Sequence, residues 1–330
     1  MIDLSQLSPM MQHYMETKKE YPDCVLFYRL GDFYEMFFDD ALTVSKELEI
    51  TLTGKDCGLS ERAPMCGVPF HALDSYLYRL VQKGYKVAIA EQMEDPRQAK
   101  GLVKREVIRV VTPGTITSSQ VLDETKNNYL MGIVYMDGIY GISTADISTG
   151  DFMVTEVDSD RELFDEINKF SPSEIICNNA FYMSGVDMDE LKNRYQVVIS
   201  ALDSRFFGEE SCRRILMEHF KVGALVGLGL EDYATGIIAA GAVMQYIYET
   251  QKSTLEHITT ITPYSTGQYM VIDTSTRRNL ELVETMREKQ KRGTLLWVLD
   301  KTKTAMGARL LRACIEQPLI HRDEIIKRQN

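Results

Sequence analysis

Within the run Gly31-Asp32-Phe33-Tyr34-Glu35-Met36-Phe37, a large aromatic and a carboxylate stand two residues apart. In an extended strand that spacing puts both side chains on one face. If Phe33 entered a core, Glu35 would follow it, and an unpaired buried carboxylate is costly. The spacing therefore predicts Tyr34, Met36 and Phe38 turned inward, with Phe33 and Glu35 projecting outward. An exposed ring beside a carboxylate suits the reading of DNA bases, the ring wedging into a base step and the carboxylate accepting a hydrogen bond from a base. Stacking on a base is worth about 1–3 kcal/mol and unstacking a step costs roughly a few, so a weakly stacked, mispaired step is wedged more readily. The residues alone also admit a blander arrangement, a turn followed by a partly buried aromatic.

A second cluster carries charge. Between Arg97 and Arg109 lie five basic residues, Arg97, Lys100, Lys104, Arg105 and Arg109, with the single acid Glu106. Such a patch can bind phosphates even on an acidic protein, or it can be a solvated strand and loop. If it is a regular strand, Arg105 and Arg109 share a face. Other chemistries lack their residues. The only Gly-Lys pair, Gly54-Lys55, is followed by Asp56 where a phosphate-binding P-loop needs Ser or Thr. Cys57, Cys66 and His71 are spaced unlike a zinc module, and no Gly-x-Ser-x-Gly nucleophile elbow occurs.

Composition sets the frame for these motifs. The 330 residues carry 48 acidic and 37 basic side chains, a net charge of −11, with 44% apolar and 26% charged residues. That balance belongs to ordinary globular domains, two or three for this length, and argues against a non-specific nucleic-acid coat. Six scattered cysteines without a Cys-x-x-Cys pair favour reduced thiols in a cytoplasm. No apolar run is long enough to span a membrane, and Met1-Ile2-Asp3-Leu4 does not begin a secretion signal.

The elements that must position the motifs follow from periodicity. Ser8-Pro9 predicts a helix start with Met11, Tyr14 and Met15 as its apolar stripe, stopped by Pro22. Cys24 to Leu30 and Phe33 to Phe37 predict two strands around the turn Gly31-Asp32. Asp39 or Asp40 is expected to cap a helix through Leu42 and Leu48. Leu73, Tyr76, Leu77, Leu80 and Val81 mark another helix ending at Gly84. Strands Tyr85–Glu91 and Lys104–Val111 complete a mixed α/β domain over residues 1–113, and the Ser/Thr-rich residues 114–127 read as a linker.

From Asn128 the rhythm changes. Tyr129–Met136, Ile139–Ile147 and Phe152–Val157 predict a three-strand meander, followed by helix, short strand Glu174–Cys177 and further alternation. This order predicts an RNase H-like α/β sheet over 128–250, with a long apolar helix from Asp232 to Tyr248 packed on it. A metal-dependent nuclease on such a sheet needs an acid on its first strand, and Tyr129 to Met136 has none. Asp146 and Asp151 are the nearest candidates. Residues 251–263 read as a linker, and 264–330 as the start of a third, all-α domain that looks truncated at its last residues.

Several long motifs in order resemble the bacterial MutS mismatch-repair family. They are Phe27–Phe37, Pro64–His71, Ala90-Glu91-Gln92, Arg109–Thr115, Asp273, Arg278–Leu282, and Leu295–Asp300 followed by Met306–Arg312. The resemblance implies a mixed-sheet mismatch-recognition domain, an RNase H-like connector domain and the start of a helical core/lever domain. It implies that Phe33 is the stacking wedge and Glu35 the base-contacting carboxylate. Lys55, Met65, Arg105, Arg97, Lys104 and Arg109 are then further contacts to mismatched double-stranded DNA. It also implies no catalytic residue and no metal in this segment, since the family's ATP and Mg2+ belong to an ATPase domain beyond it. Contacts to MutL through the connector, a homodimer in the full-length form, and a cytoplasmic, nucleoid-associated location complete the implied picture. The residues leave open a nuclease on the connector fold, and an interaction module that binds no DNA.

Overall fold

A computed structural model describes residues 4–94, 101–117 and 122–329. The chain divides into two compact units, residues 1–121 with 247–254, and residues 122–246 with 255–330.

In the first unit, Pro9 opens helix α1 (Pro9–Glu20) at its first helical position, with Ser8 as N-cap residue. Strands β1 (Cys24–Leu30) and β2 (Phe33–Phe37) form a hairpin whose two-residue loop places Gly31 at φ +59°. Helix α2 (Phe38–Leu48), β3 (Thr53–Lys55), β4 (Ala63–Pro69), α3 (Leu73–Gln82), β5 (Lys86–Gln92) and β6 (Arg105–Val111) follow. The six strands form one sheet in the order β3-β4-β2-β1-β5-β6. Alternation divides its residues between two faces. Met11 and Tyr14 of α1 pack on Leu26, Tyr28, Phe37, Ala88, Val107 and Val110 on one face. On the other face α2 sits against β4, and the Cys66 thiol meets the Ala41 carbonyl there.

One buried carboxylate fixes α1 to this sheet. Asp40 accepts hydrogen bonds from the Tyr14 hydroxyl at 3.1 Å and the Leu26 amide at 2.9 Å, and pairs with Lys18 at 3.0 Å. The helix-cap role expected for Asp39 or Asp40 is thus corrected. Phe37 is the N-cap residue, and Asp40, inside the first turn, serves β1 and α1 instead. Burial, then the charge of Asp40, pushes the Tyr14 hydroxyl's pKa well up, so Tyr14 remains a donor. Asp40→Ala strands the Leu26 amide and the Lys18 charge, and should destabilise this unit by about 3 kcal/mol. A urea unfolding midpoint unchanged in that variant would show that the carboxylate ties nothing down.

The second unit begins with the meander β7 (Leu130–Met136), β8 (Ile139–Asp146) and β9 (Asp151–Val157). Helix α4 (Asp160–Phe170), β10 (Glu174–Cys177), α5 (Asn179–Tyr182), α6 (Met188–Tyr195) and β11 (Val198–Ala201) supply the alternation. The sheet order is β11-β10-β7-β8-β9, with β10 parallel to β7 and β11, the RNase H-like arrangement that the meander predicts. After α7 (Glu209–Phe220), the apolar helix α8 (Ala234–Gln251) lies against the sheet. Gly132 and Gly141 in the sheet, and Gly236 in the helix, face backbone or side chains within van der Waals reach. The amides of Thr235 and Gly236 both donate to Glu156 of β9, at 2.6 and 2.8 Å, anchoring the positive end of α8. Strand β12 (Thr262–Pro263) adds to the edge at β9. Helices α9 (Thr274–Asn279), α10 (Leu295–Leu299), α11 (Ala305–Glu316) and α12 (Arg322–Gln329) follow, and Leu296 of α10 packs with Leu282 and Val283, with Leu311 and Ile315 of α11 against them. Among the described residues no helix is long and apolar enough to cross a membrane, and all six cysteines are free.

Candidate nucleic-acid interface

The face of the first sheet that carries α1 is covered only in part. Along β2 it runs Phe37, Glu35, Phe33. Phe37 is buried, with its ring 5.0 Å from that of Tyr14 and perpendicular to it. The Glu35 side chain is 15% exposed, and Phe33, at the hairpin end, is 46% exposed. The face therefore opens progressively toward the hairpin, where α1 no longer lies over it. Tyr34 and Met36 are buried on the opposite face, as the alternation predicts. Phe38 departs from it. It begins α2 at φ +54° and is only half-buried.

Register places the neighbours of the pair. Glu35 stands between Tyr28 of β1 and Gly67 of β4, while Phe33 stands between Leu30 and Pro69. A Cβ added at Gly67 would lie 3.3 Å from the Tyr34 carbonyl oxygen and 3.5 Å from Cγ of Glu35, the latter an ordinary contact. The hydroxyl of Tyr28 lies 2.7 Å from Nδ1 of His13, and burial raises its pKa, with Arg105 opposing. On β3, Lys55 reaches Glu35 with Nζ 2.5 Å from Oε2. Met65 pairs with Phe37 and Thr53, and is partly buried against the α1 core. Phe33, Glu35, Lys55 and Met65 thus share one region. His13, Tyr28 and Gly67 also belong to it and went unread in the sequence. Tyr28 lies inside the Phe27–Phe37 motif and Gly67 inside Pro64–His71, which were the available signals.

The basic run behaves differently. A register shift between Ile89 and Ala90 makes Ile108 an extra residue in β6. The bulge reverses the alternation, so the expectation that Arg105 and Arg109 share a face is corrected. Arg105 lies on the α1 side, 6% exposed, donating to the carbonyls of Arg29 and Val103 at 2.7 Å each. Its guanidinium sits 5.1 Å from the Tyr28 ring centroid, so it packs on that ring rather than presenting its charge outward. Arg109 turns to the other face, 4.0 Å from Asp74 of α3. Lys104 is exposed and pairs with Glu106 at 2.5 Å, an interaction that raises the lysine's pKa and lowers that of the glutamate. Arg97 lies outside the described residues.

The alternative sites fare less well. Asp146 is fully buried, and it accepts from the Asn128 amide and from the amide and hydroxyl of Ser148 at 3.0, 2.8 and 2.6 Å. It closes the β8–β9 turn. Asp151 accepts from the Asn127 side chain, and β7 has no acid. No group of three or more His, Cys, Asp or Glu that could hold a metal ion occurs among the described residues. Gly54-Lys55 lies in β3 with its lysine on Glu35, so these residues do not fit a nucleotide's phosphates.

A mixed-sheet domain with a partly open aromatic–carboxylate face, followed by an RNase H-like domain and helices, is an architecture that sequence comparison places in one class. Residues 8–120 match the family model of MutS domain I, 128–259 that of MutS domain II, and 275–330 that of MutS domain III. The chain belongs to the MutS family. It is 64% identical over 325 residues to the DNA mismatch repair protein MutS of Lachnoclostridium phytofermentans, covering 98% of this chain and 35% of that protein. It is 54% identical to the protein of the same name from Acetivibrio thermocellus, covering 98% of this chain and 37% of that one. The chain thus spans little more than a third of the length of the curated relatives it matches.

Proposed function

We propose that this chain carries the mismatch-reading part of a DNA mismatch-repair sensor, and binds mispaired or unpaired bases in duplex DNA through Phe33 and Glu35. The observation that carries this reading is the opening of the α1-side face at the hairpin, where an exposed ring stands beside a carboxylate held by its neighbours. Phe33 enters the base step and stacks, and Glu35 accepts a hydrogen bond from the displaced base. Lys55 and Met65 border the same region, and Lys104 is exposed toward solvent. Arg105 acts by holding Tyr28, the neighbour of Glu35. Arg109, on the far face, is a poorer candidate for a phosphate contact. The segment is a binding element with no catalytic residue of its own. ATP with Mg2+, and the main dimer contacts, belong to the remainder of a full-length protein. The RNase H-like unit is the surface for MutL, and the setting is the cytoplasm at the nucleoid.

Glu35→Gln tests the carboxylate in protein extended to the length of the curated relatives. The change keeps the shape and one acceptor but removes the negative charge that pairs with Lys55, so the net charge facing the phosphates becomes more positive. Binding to matched duplex is expected to tighten by roughly fivefold, about 1 kcal/mol, with poorer discrimination against it. Fluorescence anisotropy titrations against matched and single-mismatch duplexes measure both quantities. Uniform weakening on both duplexes would remove Glu35 from the reading site. Duplex binding that does not vary with salt would favour an interaction module that does not grip the DNA backbone.

A further inference from the structure

Glu35 has a resting partner, and the geometry of that pair bears on how the site discriminates. Lys55 stands opposite Ala63 on β4, whereas Glu35 stands opposite Gly67, four residues along the same strand. Between them lies the row of Phe37, Met65 and Thr53. The two side chains meet above that row, with Lys55 Nζ 2.5 Å from the carboxylate and 5.6 Å from the Phe37 ring centroid. Phe33 lies on the opposite side of Glu35 along β2. The ion pair therefore draws the carboxylate toward Phe37 and away from the step that Phe33 would open. Its members are 15% and 34% exposed, so water screens the pair only in part. The other immediate neighbours of Glu35 across the ladder, Tyr28 and Gly67, bring no charge.

We propose that Lys55 is a positioning residue for Glu35, a latch that stays closed on matched duplex and opens only when a displaced base offers Glu35 a hydrogen bond. This deepens the reading given above and rests on it. On matched DNA the bases remain stacked, Glu35 finds no donor, and Lys55 continues to neutralise it against the phosphates. On a mismatch the carboxylate swings toward Phe33, and the pair must break. The latch thus opposes mismatched binding by the cost of opening, and it spares matched DNA the repulsion of a bare carboxylate. Both effects narrow discrimination. Lys55 is in this sense a regulator of the site rather than only a phosphate contact.

The test is the ratio of affinities for single-mismatch and matched duplexes, measured by anisotropy in protein of the relatives' full length. Lys55→Met should raise that ratio by roughly 2–5-fold, the range expected for one partly screened charge pair. Lys55→Arg should keep the wild-type ratio. In the Glu35→Gln background, Lys55→Met should leave the ratio unchanged, because no carboxylate remains to be released. A lysine that only contacts phosphate would instead weaken both duplexes equally in either background and lower the salt slope by about one contact. An unchanged or reduced ratio on Lys55→Met with Glu35 present overturns the latch, and so does an equal change in both backgrounds. A wild-type protein without mismatch preference overturns the mismatch reading and the latch together. A wild-type preference that ignores Lys55→Met overturns the latch alone.

Discussion

Phe33→Ala is expected to bring the affinities for matched and mismatched duplexes together, removing roughly 5–150-fold of preference, the equivalent of about 1–3 kcal/mol of base stacking. On the proposed reading the ring would repay the cost of unstacking, and without it a mispaired step would offer the protein little that a matched step does not. Affinity for the sugar–phosphate backbone should survive in part, since it is carried by cations elsewhere. The fold should hardly notice the change. Phe33 is nearly half exposed, and the hairpin around Gly31-Asp32 is set by β1–β2 pairing rather than by its ring. Titrations with both duplexes and a urea unfolding curve on the same preparation separate lost reading from lost folding. Full discrimination by a folded Phe33→Ala protein would make the ring a structural aromatic only.

The largest stability effect is expected in the second unit. A Cβ at Gly141 would lie 2.4 Å from the backbone carbon and oxygen of Thr235, at the start of α8. That backbone cannot give way easily, because the Thr235 and Gly236 amides are both held by Glu156. Helix α8 would have to lift from the sheet, and Gly141→Ala should cost about 3 kcal/mol or more. Gly223 is exposed with nothing within 4 Å of its added Cβ, so Gly223→Ala should stay within about 0.5 kcal/mol. Equal unfolding midpoints for the two variants would show that the close approach of helix and sheet is not a constraint.

Where one physical signal dominated, the sequence was easily read. The apolar run of β1 and the short buried strand β10 have the bounds their patterns predict, Cys24–Leu30 and Glu174–Cys177. Phe33 is exposed as expected, but Glu35, expected to project outward with it, is only 15% exposed on the face that carries buried Phe37, and its burial is tolerated because Lys55 pairs with it. Strand β4 was hidden by Pro64, Gly67 and Pro69, residues that ordinarily mark turns, yet it pairs with strands on both sides. The bulge in β6 left a trace that strict alternation overlooks. Arg105, Val107, Arg109 and Val111 would have shared one face, mixing two cations with two buried valines. Inserting Ile108 as the extra residue keeps Arg105 and Val107 on the α1 side, where Val110 joins them, and turns Arg109 and Val111 to the other face. Asp40 resembled a helix cap because its partners, Tyr14 and Leu26, come from distant elements. The Lys55–Glu35 pair was illegible for the same reason, since it depends on the register of three strands.

The central claim, that Phe33 stacks on a base only where pairing is faulty, is tested most directly by photochemical cross-linking. A 5-iodouracil placed in the duplex couples on irradiation to an aromatic ring stacked against it. In complexes with protein of the relatives' full length, the cross-link should map to Phe33 when the iodouracil is mispaired or unpaired. It should disappear when the same base is paired with adenine. Equal yields from paired and mispaired duplexes, or a cross-link elsewhere with Phe33 unmodified, would contradict the claim.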